Sequence, residues 1–200
     1  MMAGTRVKVT KKIYTCEDKD ACLYAHNKVR SYHKVEPLVW DTKLATNAKN
    51  WAIHLLENDL YDHAYGINDG ENLYRIPSAS HRAYHAVHFF YQEIENYDFR
   101  RMSEPNSTLS DDEFDEVGHF TQVVWKDAKK VGCCVAFDKK LKKTIIVCRY
   151  SIKQNQNYSE QVLRQNVNGN GELFIPKCED LICENDVETT LEGVDHYIMF

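Results

Sequence analysis

One histidine of the chain, His119, stands between a glycine and a run of large apolar residues, where the sequence from 118 to 126 reads GHFTQVVWK. Valine and tryptophan are mostly interior residues, so this run is expected to anchor the backbone in a core. Gly118 lets the chain turn sharply just before the histidine. A histidine held in one orientation suits a metal ligand or a catalytic base. The alternative is a core histidine that hydrogen-bonds a backbone carbonyl.

Three other histidines have the spacing of one helix face. His81, His85 and His88 lie within a predicted helix that runs from about Ser78 to Tyr97. Histidines at positions i, i+4 and i+7 of a helix can hold a metal ion. We favour a solvated helix face instead, because the three histidines lie opposite the apolar face and no acid on this helix completes a site.

The pattern of apolar and capping residues predicts two further helices that must position these side chains. A first helix begins near Asp18 or Asp20, where an acid suits the positive end of a helix. Asp41 or Thr42 caps a second helix. Its apolar residues recur at the helical period from position 44 to position 56.

Two runs rich in β-branched residues, 131–137 and 144–150, predict a hairpin around a lysine-rich turn. The polar stretch after the second helix, which contains His63 and Glu71, is predicted to be a loop. Residues 98–117 are predicted to form an exposed loop that is longer than most connections. These patterns together indicate an α+β domain.

Composition limits the classes of partner and compartment. The chain has 200 residues, a net charge of -5 and a pI near 6.0, which suits one domain and gives no reason to expect nucleic acid as a partner. No apolar run is long enough to span a bilayer, and the start of the chain lacks the apolar segment of a signal peptide. The seven cysteines are an odd number, which favours free thiols in a reducing compartment.

Several short stretches together resemble the signatures of the CAP superfamily, which includes the cysteine-rich secretory proteins, the antigen 5 venom allergens and the plant pathogenesis-related 1 proteins. The stretches are GHFTQVVW at 118–125, HNKVR at 26–30, LVWD at 38–41, GENL at 70–73 and VCRY at 147–150. The chain resembles the venom allergen-like or the Golgi-associated pathogenesis-related members that lack a signal peptide.

The resemblance implies a three-layer α-β-α sandwich with a short, mainly antiparallel sheet. It covers about residues 17–155, so we expect a basic arm at 1–16, the CAP domain at 17–155 and a C-terminal extension at 156–200. It also implies a disulfide across the paired strands in secreted members, which here would join Cys133 (or Cys134) to Cys148.

The resemblance further implies a cavity with two histidines and two acids. Carried over residue by residue, the histidines are His63 and His119 and the acids are Glu71 and Glu93. Two neutral imidazoles are good ligands for Zn²⁺ or another divalent cation, and nearby carboxylates can orient a ligand, hold water or coordinate directly. Two protein ligands leave positions open to water, so we expect weak binding.

The function implied for some members is the binding of a fatty acid or a sterol. The residues here that correspond to the lipid-binding aromatic pattern are Tyr97, Phe99 and Phe114. We expect a non-enzymatic binding protein, with a scaffold for protein interaction or immune modulation as the alternative. A metal-dependent hydrolase is least favoured, because the chain lacks the H-E-x-x-H and G-x-S-x-G motifs.

The expected partners are a lipid or sterol ligand, an anionic membrane surface and a second copy of the chain in a homodimer. The membrane contact would be peripheral and weak, because it rests on the four basic residues Arg6, Lys8, Lys11 and Lys12. The chain as written indicates a cytoplasmic or peripheral-membrane location, and the alternative is the extracellular location of most of the family.

Overall fold

The computed structural model describes residues 13–16, 18–77, 82–104, 106–153, 160–167 and 177–181. The helices are α1 (Lys19–Tyr32), α2 (Thr42–Asn58), α3 (Ala83–Gln92), α4 (Asp111–Asp115), α5 (Gly118–Val124) and α6 (Glu160–Asn166). The strands are β1 (Ile13–Cys16), β2 (Val39–Trp40), β3 (Gly70–Ile76), β4 (Lys130–Asp138) and β5 (Lys143–Tyr150). Single 3₁₀ turns cover Glu93–Asn96, Arg101–Ser103 and Cys178–Leu181. None of the described helices is long and apolar enough to cross a membrane.

The strands β1, β4, β5 and β3 form one sheet in that order, with antiparallel pairing throughout. The short strand β2 also joins this sheet and pairs with β4 in the parallel direction. Neighbouring residues of β4 point to opposite faces of the sheet. Cys134 packs with α2 on one face, whereas Cys133 packs with α1, α3 and α5 on the other. This arrangement confirms the expected α+β fold with helices on both sides of a mainly antiparallel sheet.

The predicted starts of α1 and α2 are confirmed. Asp18 is the N-cap of α1, and the Asp41 side chain accepts hydrogen bonds from the backbone N–H groups of Lys43 and Leu44 at the start of α2. Asp41 also places α2 directly against the sheet. A Cβ atom at Gly132 of β4 would stand 2.7 Å from the carbonyl oxygen of Asp41, so only glycine allows this approach.

Two sequence-based assignments of loops are wrong. Glu71 lies on strand β3 rather than in a loop, because β3 pairs along its whole length with β5 and its polar residues occupy an edge strand. The stretch 98–117 contains a 3₁₀ turn and helix α4. The Ser110 side chain caps α4 through a reciprocal pair of hydrogen bonds with Glu113, and Arg101 forms an ion pair with Glu113.

Helix α3 is shorter than predicted. It begins at Ala83, with Arg82 as its N-cap, and it ends at Gln92, where the chain tightens into a 3₁₀ turn. Residues 78–81, which include the predicted cap Ser78 and His81, lie outside the described residues.

The described parts of the C-terminal stretch pack onto the domain. Leu163 and Val167 of the α6 region and Leu181 are buried in the same core as α1, α3 and α5. The backbone N–H of Lys126 donates to the carbonyl oxygen of Asn166. Residues 160–167 and 177–181 therefore extend the core of the domain, while the basic arm at 1–12 lies outside the described residues.

Candidate metal centre

His119 is held by the carboxylate of Glu93 and by an aromatic ring. It occupies the first turn of α5, and its Nδ1 lies 2.6 Å from Glu93 Oε1. The other carboxylate oxygen of Glu93 accepts hydrogen bonds from the backbone N–H groups of His119 and Phe120, at 2.8 and 3.1 Å. The ring of Phe90 stacks on the imidazole, with centroids 5.0 Å apart and planes 10° from parallel. The imidazole is thereby fixed in one orientation.

His63 is held by the second predicted acid, Glu71. It lies on the connection between α2 and β3, and its Nδ1 is 2.7 Å from Glu71 Oε1. The backbone N–H of Ala64 donates to the same oxygen. The side chain of His63 is 65% exposed, whereas that of Glu71 is 4% exposed. The acid is therefore buried, while the imidazole that it holds faces solvent.

Arg149 balances the charge of this buried acid. Glu71 and Arg149 are directly opposite each other in the pairing of β3 and β5, and Arg149 Nη2 lies 2.6 Å from Glu71 Oε2. Burial lowers the pKa of Arg149, and the negative charge of Glu71 opposes that shift. A buried carboxylate needs such a partner to remain ionised.

Asn72 joins the two halves of the site. It follows Glu71 on β3, and its side-chain amide donates to the backbone carbonyl of His119 at 3.1 Å and to the hydroxyl of Tyr150 at 3.2 Å. The residue is buried. Strand β3 therefore carries Glu71 itself, and Asn72 links the same strand to His119.

The two histidine–carboxylate pairs leave the same ring nitrogen available in both imidazoles. A carboxylate accepts but does not donate, so the Nδ1–H of His63 donates to Glu71 and that of His119 donates to Glu93. The Nε2 atoms then carry the lone pairs, and this is the arrangement in which carboxylates orient metal-binding histidines from behind. Each imidazole therefore presents one nitrogen with the chemistry of a metal ligand.

The four predicted residues do not form a compact set of ligands. Among the described residues, the only group of three histidine, cysteine or acidic ligand atoms lying within 4.8 Å of one another is Cys22, His26 and Cys133. Each carboxylate of Glu71 and Glu93 instead contacts the Nδ1 atom of one histidine.

The alternative histidine cluster is only partly described, because His81 lies outside the described residues. The Nδ1 of His85 accepts a hydrogen bond from the backbone N–H of Arg82, which serves to start helix α3. The ring of His85 also stacks on Tyr84.

The aromatic residues predicted to bind lipid lie mostly in the core. Tyr97 is buried and Phe99 is half-buried, and both pack against Phe120 of α5. Phe114 is half-buried on α4. Two other aromatic side chains are exposed near the histidines. Phe89 is 45% exposed with its ring 6.4 Å from that of His119, and Tyr65, two residues after His63, is 90% exposed.

A second group of cysteine and histidine side chains lies in the core between α1 and the sheet. Cys22, His26, Cys133 and Cys148 are all fully buried. Burial lowers the pKa of His26 to about 4 and raises the pKa of Tyr150, whose hydroxyl is 2.8 Å from His26 Nε2. Cys148 lies opposite Cys133 in the pairing of β4 and β5, and their sulfur atoms are in contact, which agrees with the first of the two disulfide pairings that the resemblance implied. His26 falls in a CAP-like stretch that indicated only the fold.

Comparison with known proteins agrees with this architecture. The family described as "CAP: Cysteine-rich secretory protein family" matches residues 23–150. The chain belongs to the CAP family. GLIPR1-like protein 1 of Homo sapiens is 33% identical over 148 residues, which are 66% of this chain and 57% of that protein. Cysteine-rich secretory protein 3 of Equus caballus is 31% identical over 176 residues, 82% of this chain and 67% of that protein.

The chain thus spans little more than half the length of the human CAP relative. Among solved structures, that of NaASP2 with Zn²⁺ superposes with a TM-score of 0.58 at 19% identity, covering 82% of this chain and 90% of that one. At this identity the likeness establishes the CAP fold.

Proposed function

We propose that this chain is a non-enzymatic CAP-domain binding protein whose cavity binds a divalent cation, Zn²⁺ in the first instance, through the Nε2 atoms of His63 and His119. The observation that carries the proposal is that each imidazole is held at Nδ1 by its own acid, at 2.7 Å from Glu71 and 2.6 Å from Glu93. Such a carboxylate fixes the tautomer and raises the basicity of the ligating nitrogen.

The proposed site is weak and open. Two histidines supply two of the four ligands of tetrahedral zinc, so water fills the remaining positions. His63 is largely exposed on a loop, while His119 is fixed on α5. We expect the cation to bind His119 first and to draw His63 towards it. Zinc described in NaASP2 concerns that protein, and its relevance to this chain is part of the proposal.

Isothermal titration calorimetry with zinc at neutral pH tests the proposal. The parent chain is compared with a His63→Ala/His119→Ala variant, and His54→Ala is the matched control, because His54 is exposed on α2 and stacks on Trp51. We expect the double variant to lose zinc binding and the control to retain it. Binding should also weaken in acid, since a protonated imidazole cannot ligate. Equal binding by the double variant and the parent would refute the site.

A lipid is the second candidate ligand, supported by the exposed aromatic side chains beside the histidines. Phe89 contacts the rings of both His119 and Tyr74, and Tyr65 is nearly fully exposed. Exposed amphipathic and apolar side chains suit contact with a fatty acid or a sterol. Their exposure supports this role better than the packed positions of Tyr97 and Phe99 do.

Extraction of a fluorescent fatty acid or sterol from vesicles tests this second role. Phe89→Ser/Tyr65→Ser should reduce extraction, and Val39→Ser, at an exposed apolar position on β2, should not. Failure of the parent chain to extract either probe would contradict the lipid role and favour the scaffold for protein interaction in its place. Turnover of a peptide library with zinc would instead contradict the non-enzymatic assignment.

A further inference from the structure

The turn between β4 and β5 concentrates positive charge, because residues 139–143 read KKLKK. Its exposed lysines are Lys139, Lys140 and Lys142. None of the ion pairs formed by the described residues includes any of these three side chains. The tip of the hairpin therefore presents three positive charges without a counter-charge, on a chain whose net charge is -5.

A buried carboxylate shapes this turn from the inside. Asp138, the last residue of β4, is fully buried, and its Oδ1 accepts hydrogen bonds from the backbone N–H groups of Lys140 and Leu141 at 2.8 and 3.1 Å. Lys142 then adopts the left-handed conformation, with a φ of 50°. The lysines are thus carried by an ordered turn, so less conformational entropy is lost when they bind a partner together.

Two leucines lie at the same end of the molecule. Leu141, between the lysines, is half-buried, and it is not among the residues packed against either core cluster of the described chain. The end of α2 is joined to the hairpin by an ion pair, in which Lys143 Nζ lies 2.6 Å from Asp59 Oδ1. The next residue, Leu60, is 40% exposed. Positive charge and apolar surface therefore occur together here.

The N-terminal part of the chain also joins the domain at this end. Ile13, the first residue of β1, pairs with Asp138 directly before the turn. The preceding residues, which lie outside the described part of the chain, include four basic residues and no acid: Arg6, Lys8, Lys11 and Lys12. Their charges are thus tethered beside the hairpin tip.

We propose that the tip of the β4–β5 hairpin docks on an anionic membrane surface, with its lysines at the lipid headgroups and Leu141 in the interface. Lysines that flank an apolar residue suit this boundary, because their alkyl stems cover apolar surface while their amines stay in water. A sulfated polysaccharide would contact the lysines alone, so Leu141 distinguishes the two partners. The surface shares no residue with the histidine site, and the inference is independent of the zinc proposal.

Sedimentation of the full chain with phosphatidylcholine vesicles, prepared with and without phosphatidylserine and in the absence of zinc, tests the proposal. We expect binding only with phosphatidylserine, and its loss at high salt. Lys139→Gln/Lys140→Gln/Lys142→Gln should weaken this binding about 100-fold, since each lysine near an anionic surface contributes about fivefold. Leu141→Ser should also weaken vesicle binding, and it should leave any binding of heparin unchanged.

A matched control removes the same charge from the opposite end of β4. Lys43, Lys126 and Lys129 are exposed near the start of this nine-residue strand, about 25 Å from the tip. Replacing all three with glutamine should leave vesicle binding close to that of the parent. Glutamine at the four basic positions of residues 1–12 should weaken binding, but the effect of the hairpin variant should persist in that background.

The proposal would be overturned by a parent chain that does not bind the anionic vesicles, or by a hairpin variant that binds them as the parent does. Equal losses in the hairpin variant and the matched control would assign the binding to net charge. A hairpin effect that disappears when residues 1–12 are neutralised would assign it to the basic arm alone. Heparin binding by the parent, with vesicle binding unchanged in Leu141→Ser, would assign the tip to a sulfated polysaccharide instead.

Discussion

Glu93 serves two functions with one carboxylate. One oxygen accepts the Nδ1–H of His119, and the other accepts two backbone N–H groups at the start of α5. The imidazole and the helix that carries it are therefore positioned by the same side chain. Glu71 combines two roles in a similar way, because it holds His63 and pairs with Arg149.

Replacing Glu93 with glutamine should weaken zinc binding without removing the ligands. The amide keeps an acceptor but loses the negative charge that raises the basicity of His119, and losses of about 10- to 100-fold in affinity are typical for such outer partners. Calorimetry on Glu93→Gln should show this loss. Glu95→Gln, an exposed acid in the same 3₁₀ turn, is the control and should bind as the parent does. Unchanged affinity in Glu93→Gln would show that the acid does not support the ligand.

A third carboxylate, that of Glu113, tests the structure of the 98–117 segment. The Arg101 guanidinium, followed by the Ser110 backbone N–H, lowers the pKa of Glu113 from its ordinary 4.5 to about 2. Because the folded-state pKa is depressed, the stabilisation from this pair is present above about pH 4.5 and is lost as the pH falls towards 2. NMR titration should find the low pKa in the parent and in Arg100→Gln, and a higher pKa in Arg101→Gln. An ordinary pKa in the parent would contradict the ion pair.

At the scale of elements, the contact between α2 and β4 sets the position of the sheet relative to its helices. Asp41 caps α2, and Gly132 leaves room for that cap on the strand beneath it. Lys130 of β4 also pairs with the Asp41 carboxylate at 3.2 Å. The cap of α2 involves only residues that are close in the sequence, because Asp41 accepts from the N–H groups two and three positions later. The start of α2 could therefore be predicted from the sequence.

Removal of the cap tests its contribution. Asp41→Ala should lower the free energy of unfolding by about 1 kcal/mol, because it leaves the N–H groups of Lys43 and Leu44 without their side-chain acceptor. Asp41→Asn keeps an oxygen acceptor and should retain most of the stability. Urea unfolding measures both variants. An alanine variant as stable as the asparagine variant would exclude the cap as a source of stability.

The elements that the sequence misassigned depend on distant partners. Strand β3 has polar residues such as Glu71 and Asn72, and it becomes a strand because β5 supplies its hydrogen bonds along the whole edge. The pairing of each histidine with one particular acid is also long-range, since 26 residues separate Glu93 from His119. Resemblance to a family identified the four residues, but only the fold shows which acid orients which histidine.

At the scale of the whole molecule, the core is continuous from the sheet to the C-terminal stretch. Leu163 on α6 is buried with residues of α1, α3 and α5, and Leu181 is buried in the same cluster. Sequence resemblance ends before α6, so it gave no indication that these residues join the core. Apolar residues in a short helix after the last strand were the available signal.

Truncating Leu163 should therefore destabilise the whole domain. Leu163→Ala should lower the free energy of unfolding by about 2–5 kcal/mol, as expected for a buried leucine, and should lower the Tm in a single transition. Gln165→Ala, on the exposed side of the same helix, should have little effect. If Leu163→Ala unfolds at the same temperature as the control, α6 does not contribute to the core.

The central claim is that the Nε2 atoms of His63 and His119 bind the cation while Glu71 and Glu93 hold the Nδ1 atoms. Long-range ¹⁵N–¹H NMR of the nine histidines resolves both ring nitrogens of each residue and tests this directly. Before zinc is added, His63 and His119 should carry their protons on Nδ1. Zinc should then shift the Nε2 resonances of these two residues and leave those of exposed His54 unchanged. Zinc binding that leaves both Nε2 resonances unmoved, or that acts at Nδ1, would contradict the claim.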